Sequence, residues 1–302
     1  MKNKFSLFAM VGLLILSLFV IGAESGCDKS KLDFDTSALT MGFVENAPPI
    51  EINYGVGFPI YVKVDNFGGY DVSAGGAKFY LTGVGQNFNN IETRKVSTST
   101  LAKKTEMQPG GSEVISFAEN AMVVQQLPQE FNLSFKVDSC YDYATIVQSS
   151  ICVGKIAGTC TLEGNKIETG SNTAAPIQVT ELTEQVTGNN LYISFKIENQ
   201  GTGQVYLVDS DCDKINENDI NEQLKKGKTN IAIITEQGFT CNLQEASAPY
   251  STIKSLAGSS QVGYTVVCEK ELTGTETHTS PIQILLNYKY VESIPRMITI
   301  YP

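Results

Sequence analysis

The chain has no tryptophan and only 1 histidine among its 302 residues. Without tryptophan it lacks the side chain most often used to stack against sugars, and its 13 tyrosines would have to stand in. The histidine, His278, lies in the polar run Gly274–Ser280. By itself it cannot build a metal triad, a zinc-protease centre or a Ser-His-Asp relay. No Cys-x-x-Cys pair occurs, which removes the close ligand pairs that zinc knuckles need. Gly-rich phosphate loops of the common forms are also missing. Lys and Arg number 22 against 32 Asp and Glu, and the resulting charge of -10 repels phosphate backbones, so no nucleic-acid partner is expected. Ser-Lys and paired-carboxylate hydrolases need no histidine, but no pair of residues stands out for either role. The chain therefore reads as a non-enzyme with no cofactor and no catalytic residue.

Long apolar runs are confined to the N-terminus. Met1-Lys2-Asn3-Lys4 is basic and Phe5 to Ala23 carries no charge, the order of a secretory signal. Gly22, Ala23, Ser25 and Gly26 are small, and Ala23-Glu24-Ser25 fits a small-x-small cleavage site. Residues 1–25 are thus expected to be a signal peptide or, if uncleaved, an N-terminal anchor that is the sole membrane contact. The rest is expected outside the cell or on its surface.

There are 7 cysteines, at positions 27, 140, 152, 160, 212, 241 and 268, and in an oxidising compartment such residues pair. From Cys140 onward the set is even, which leaves Cys27 over. An inter-chain bridge, a lipid or a free thiol would each explain it. The expected pairs are Cys140–Cys152 across a hairpin-like segment, Cys241–Cys268 in the second half, and Cys160–Cys212.

What the chain does have is strand signal. In Phe58–Asn66, residues 58, 60, 62 and 64 are apolar while Tyr61, Lys63 and Asp65 face the other way. Leu191–Asn199 repeats the alternation in phase, and both segments end alike, in Asn66-Phe67-Gly68 and Asn199-Gln200-Gly201. The Asn and Gly are expected to form a tight turn with positive φ. A second match closes the halves: Tyr141-Asp142-Tyr143 before Ile151-Cys152-Val153, and Tyr288-Lys289-Tyr290 before Ile298-Thr299-Ile300. Matching ends with middles of unequal length are the mark of a duplicated module. The expected fold is all-β, with two tandem immunoglobulin-like β-sandwich domains at 26–153 and 176–302 and a linker at 154–175. Short helical turns are expected at Asn218–Lys226 and Tyr250–Ala257, while Ser112–Gln126 suits either helix or strand.

The alternating strand ending in Asn-x-Gly resembles CARDB-like modules, the cell-adhesion-related domains of prokaryotic surface proteins. Phe43-Val44-Glu45-Asn46-Ala47-Pro48-Pro49-Ile50, then Lys63–Val72, Cys140-Tyr141-Asp142-Tyr143 and Tyr288-Lys289-Tyr290, together look like a group of exported archaeal proteins. The resemblance covers nearly all of the mature chain. It implies a cell-surface setting and transfers no catalytic residue.

Three further features are candidates for sites. Asp209, Asp211 and Asp213 alternate in a loop, the way calcium ligands converge, although Lys214 and Ile220 break the helix-loop-helix pattern. Asn132 opens an Asn-Leu-Ser sequon on a strand whose odd positions are apolar, so it should face solvent and be open to a glycan. The paired tyrosines read as sheet packing in preference to an exposed binding stripe. The expected role is a non-catalytic structural or adhesion protein whose partner is an extracellular protein or an envelope glycan. A carbohydrate- or calcium-binding accessory protein and a cryptic hydrolase are the alternatives.

Overall fold

The computed structural model describes residues 35–302 except 86–87, 125, 127, 155–159, 244–254 and 275–276. The signal segment and Cys27 lie outside the described residues. The fold is almost wholly β. Two strands set its frame: β8 (Phe131–Val153) and β16 (His278–Tyr301), of 23 and 24 residues. They pair antiparallel from Phe131↔Ile300 to Val153↔His278. At about 3.3 Å per residue the ladder is on the order of 70 Å long, several times an ordinary strand.

Each long strand collects partners from its own half. Beside β8 lie β4 (Ala77–Thr82) and then β6 (Arg94–Val96); beside β16 lie β12 (Lys228–Ile234) and then β14 (Ser255–Gln261). Two further strands, β2 (Glu51–Asn53) and β11 (Gln204–Leu207), also pair with β16 and complete an eight-stranded sheet. Each half adds a four-stranded sheet of matching order. The first is β1 (Leu39–Phe43), β3 (Phe58–Asn66), β7 (Ser112–Val123) and β5 (Phe88–Asn89). The second is β9 (Ile177–Thr187), β10 (Asn190–Asn199), β15 (Thr265–Glu271) and β13 (Thr240–Cys241). The ambiguous segment from Ser112 is therefore strand. Of the segment Tyr250–Ala257, expected as a helical turn, the part from Ser255 onward is strand β14 and the rest lies outside the described residues.

The alternation seen in the sequence is the core pattern. Phe58, Ile60, Val62 and Val64 on β3, and Leu191, Ile193, Phe195 and Ile197 on β10, are all buried. Burying one such side chain contributes roughly 1.5–3 kcal/mol. The halves expected as tandem modules share the central sheet, and Phe34–Pro302 forms one compact unit.

The pairing of β8 with β16 turns the sequence repeat into a local two-fold axis. Asp142 and Lys289 are repeat equivalents separated by 147 residues, and they sit opposite each other and form an ion pair. Around them the tyrosines pair reciprocally, Tyr141↔Tyr290 and Tyr143↔Tyr288. This is the geometry of an isologous dimer interface, here inside one chain. All four rings are buried, and they close a circuit with centroids 5.7, 6.1, 6.3 and 6.2 Å apart. Pairs at such spacing add about 0.5–1.5 kcal/mol each beyond the area they bury.

Two expectations change for a physical reason. The Asn-x-Gly glycines do not adopt positive φ. They are glycine because nothing else fits: a Cβ on Gly68 would lie 1.8 Å from the Tyr143 hydroxyl, and one on Gly201 would lie 2.3 Å from that of Tyr290. The segment read as a linker, for its described part 160–175, lies along the sheet. Gln148 N donates to Ser171 O, Thr173 N to Ile146 O and Lys166 N to Leu182 O, and Ile167 and Ala175 are buried.

Candidate functional site

The disulfides follow from the long strands. Cys140 and Cys152 both lie on β8, so roughly 40 Å of extended chain separates them and they cannot pair as expected. Cys140 instead joins Cys212, with Cα atoms 5.8 Å apart, and Cys152 joins Cys160 at 5.6 Å. Cys241–Cys268 is as expected, between facing residues of β13 and β15. Three disulfides fit an oxidising compartment outside the cytoplasm, and among the described residues no helix is long and apolar enough to cross a membrane.

Cys212 opens α1 (Cys212–Asn216), which the Asp-rich loop builds. Asp211 caps it, accepting from Asp213 N at 2.9 Å; Asp219 caps α2 (Ile220–Gln223) in the same way, accepting from Asn221 N and Glu222 N. Acids precede short helices because their oxygens satisfy the free N–H groups of the first turn. Asp213 receives Lys78 Nζ at 2.7 Å, Arg94 Nε at 2.6 Å and the Tyr80 hydroxyl at 2.8 Å. The Arg94 guanidinium foremost, then Lys78 and Tyr80, holds the Asp213 carboxyl well below the usual carboxylate range. Asp209 faces Lys225 at 3.5 Å. The three aspartates thus go to three separate tasks, and among the described residues no group of three or more His, Cys, Asp or Glu side chains forms a metal cluster.

The loop from the second half is thereby clamped onto β4, β6 and β8 of the first. Beside the clamp lies a cleft of about 490 Å³. Its floor is apolar: Tyr80, Tyr206, Ile215, Val291 and the Cys140–Cys212 bridge pack together. Around it stand Glu292, Asp138, Gln204, Asn216 and Asn218. Asp138 is neutralised by Lys136 at 2.9 Å and receives the Ser293 hydroxyl.

Glu292 differs. Among the described residues its carboxyl forms no hydrogen bond and meets no cation, and burial alone pushes it up to about 7. Burial foremost, and the Glu292 charge behind it, raises the phenols of Tyr141 and Tyr290, and among the described residues the buried Tyr141 hydroxyl has no hydrogen-bond partner. The sequence reading missed Glu292, although the signal was there. From Ile282 to Tyr290 the even positions of β16 are buried, and Glu292 is the next even position, in phase with the core.

The repeat equivalent of this place is closed. Asn66 Nδ2 donates to Tyr70 O and Asn199 Nδ2 to Gly203 O, each four residues on, which makes Tyr70 and Gly203 counterparts. Tyr70 lays its ring on Tyr143 at 5.7 Å, while Gly203 has no side chain to lay on Tyr290 and donates its N–H to that hydroxyl at 2.8 Å. Glu292 corresponds to Thr145, whose hydroxyl donates to Ile177 O at 2.5 Å and meets Tyr288 at 3.0 Å. One half fills and bonds the position; the other leaves it open with a lone carboxyl.

The other sequence candidates are elsewhere. Asn132 is exposed while Leu133, Phe135 and Val137 are buried, as the alternation required, and it accepts from the Thr299 hydroxyl at 2.9 Å. His278 is exposed at the start of β16, and its Nε2 lies 2.9 Å from Glu236.

No family of known proteins matches this sequence, and no curated protein matches it. Among solved structures the chain is similar to the secreted serine protease VesC from Vibrio cholerae, at 8% identity and a TM-score of 0.21. The match covers 88% of this chain and 52% of that one, at a score too low to bear on fold or activity.

Proposed function

We propose that the protein is an exported, non-catalytic structural or adhesion component of the cell surface, built from two immunoglobulin-like halves fused along one strand pair. Each half supplies a four-stranded sheet and four strands of the central sheet, two sheets to a half as a sandwich needs. The observation that carries the reading is the β8–β16 ladder, which joins the halves from end to end around a buried tyrosine circuit. Such an arrangement favours a fixed spacing between two surfaces over the hinge movement that many enzymes use. The disulfides and the resemblance to CARDB-like modules fit the same setting.

Fractionation of the native cell tests it, together with covalent capture of neighbours in the envelope. The protein should sit in the envelope fraction and crosslink reproducibly to one external partner. Recovery from the cytoplasm, or turnover in a hydrolase screen that survives purification, would defeat the proposal. A ligand-binding accessory role is the second reading, favoured by the open cleft at Glu292.

A further inference from the structure

We infer that the cleft beside α1 is a docking site for a basic side chain of a partner protein, whose ammonium group pairs with Glu292 while its aliphatic stem lies on the Tyr80–Tyr206–Ile215–Val291 floor. The inference rests on the proposal that this protein holds an extracellular partner, and it adds where and by what chemistry.

The two-fold symmetry is broken at this place. At equivalent places around the two-fold axis, Tyr70 and Thr145 close one position while Gly203 and Glu292 open the other. Gly203 is also held open. A Cβ there would lie 2.5 Å from Val291 O and 2.7 Å from both Glu292 Cγ and Tyr290 Cε1, so no other residue fits without displacing Glu292.

Charge complementarity calls for a cation. A partly buried carboxyl without a partner is costly to ionise, and a cation delivered by a ligand removes that cost. The other groups around it leave the role vacant. On β8, Asp138 is engaged by Lys136; Tyr141 beside it, Tyr290 on β16, Tyr206 on β11 and Tyr80 on β4 are neutral phenols. Lys78 and Arg94 are bound to Asp213. None of these cations is paired with Glu292.

The floor favours an aliphatic stem over a sugar ring. Tyr80 and Tyr206 are only 4% and 2% exposed, so neither offers a ring face for a sugar to stack on. Val291, partly buried against them, gives the cleft an apolar side that suits a run of methylenes. The cleft's volume of about 490 Å³ leaves room for the backbone that flanks one lysine.

The test uses the oxidised mature protein and three probes: a capped Ala-Lys-Ala peptide, the same peptide with norleucine, and glucosamine. Calorimetry or NMR titration should detect the lysine peptide at pH 8 and find it about tenfold weaker at pH 6, because a carboxyl titrating near 7 is mostly protonated there. The norleucine peptide should bind at least about tenfold more weakly at pH 8, and Glu292→Gln should remove both the preference and the pH dependence. Lack of lysine-peptide binding up to about 20 mM would overturn the inference, as would equal binding of the norleucine peptide or an unchanged Glu292→Gln variant. Tighter binding of glucosamine would also overturn it, in favour of an amino-sugar ligand. Capture of an envelope partner that persists in Glu292→Gln would sink the docking site alone and leave the surface role standing.

Discussion

Removing the bridge between the halves measures how much the cross-connection matters. In Cys140→Ala/Cys212→Ala the folded chain keeps the Asp213 clamp to Lys78, Arg94 and Tyr80, so the main loss is the restraint on the unfolded chain. The bridge spans a sequence separation of 72, which corresponds to about 4.4 kcal/mol of loop-closure entropy at 25 °C. Separations of 27 and 8 for Cys241–Cys268 and Cys152–Cys160 give about 3.5 and 2.5 kcal/mol. For a unit of this size about 4 kcal/mol is a fall of roughly 8 °C in the thermal midpoint. Differential scanning calorimetry of the three double-alanine variants should rank them in that order. A non-reduced peptide map of the parent should link the Cys140 peptide to the Cys212 peptide. A shift below about 2 °C for Cys140→Ala/Cys212→Ala, or a mapped Cys140–Cys152 peptide, would refute both the connectivity and the continuous β8 strand on which it depends.

Gly68→Ala and Gly201→Ala should each lower stability by about 1–3 kcal/mol in urea titration through the clash with a tyrosine hydroxyl, whereas Gly42→Ala, with open space around it, should be neutral or slightly stabilising. Tyr141→Phe removes a buried hydroxyl that has no partner among the described residues and should leave the midpoint unchanged or raise it; Tyr290→Phe removes the acceptor of Gly203 N and should cost about 1 kcal/mol. Glu292 is raised in the folded state, so the folded protein holds the extra proton and stability should fall as pH rises from the ordinary carboxylate range to about 7. Glu292→Gln should flatten that fall. Asp213 is lowered by Arg94 first, and it contributes stability that is present above the unfolded carboxylate pKa and lost as acid protonates it; Asp213→Asn should make acid unfolding less steep.

Local patterns decided what the sequence could reveal by itself. The period-2 alternation in Phe58–Asn66 and Leu191–Asn199 marked strands and their buried faces, because in a strand each side chain's direction is set by its parity alone. The same rule placed Asn132 on the outside and the tyrosines at 141, 143, 288 and 290 inside. The duplication was equally legible, since its matched ends survive whatever the loops between them do.

Whether the two copies stand apart or share a sheet is a question of which strand edges meet, and edges are identical backbone that carries no sequence label. Tertiary structure settled it by pairing β8 with β16, and that single pairing decided the rest. It drew Cys140 and Cys152 apart along one extended strand, so each found a partner elsewhere. It pressed the repeated glycines against tyrosines, so close approach and not φ fixed their identity. It brought the Asp-rich loop within reach of Lys78 and Arg94, which turned a calcium-like pattern into a clamp. Glu292 became a lone carboxyl only there, because whether a charged residue in phase with the core is paired or open depends on atoms that come from distant parts of the chain.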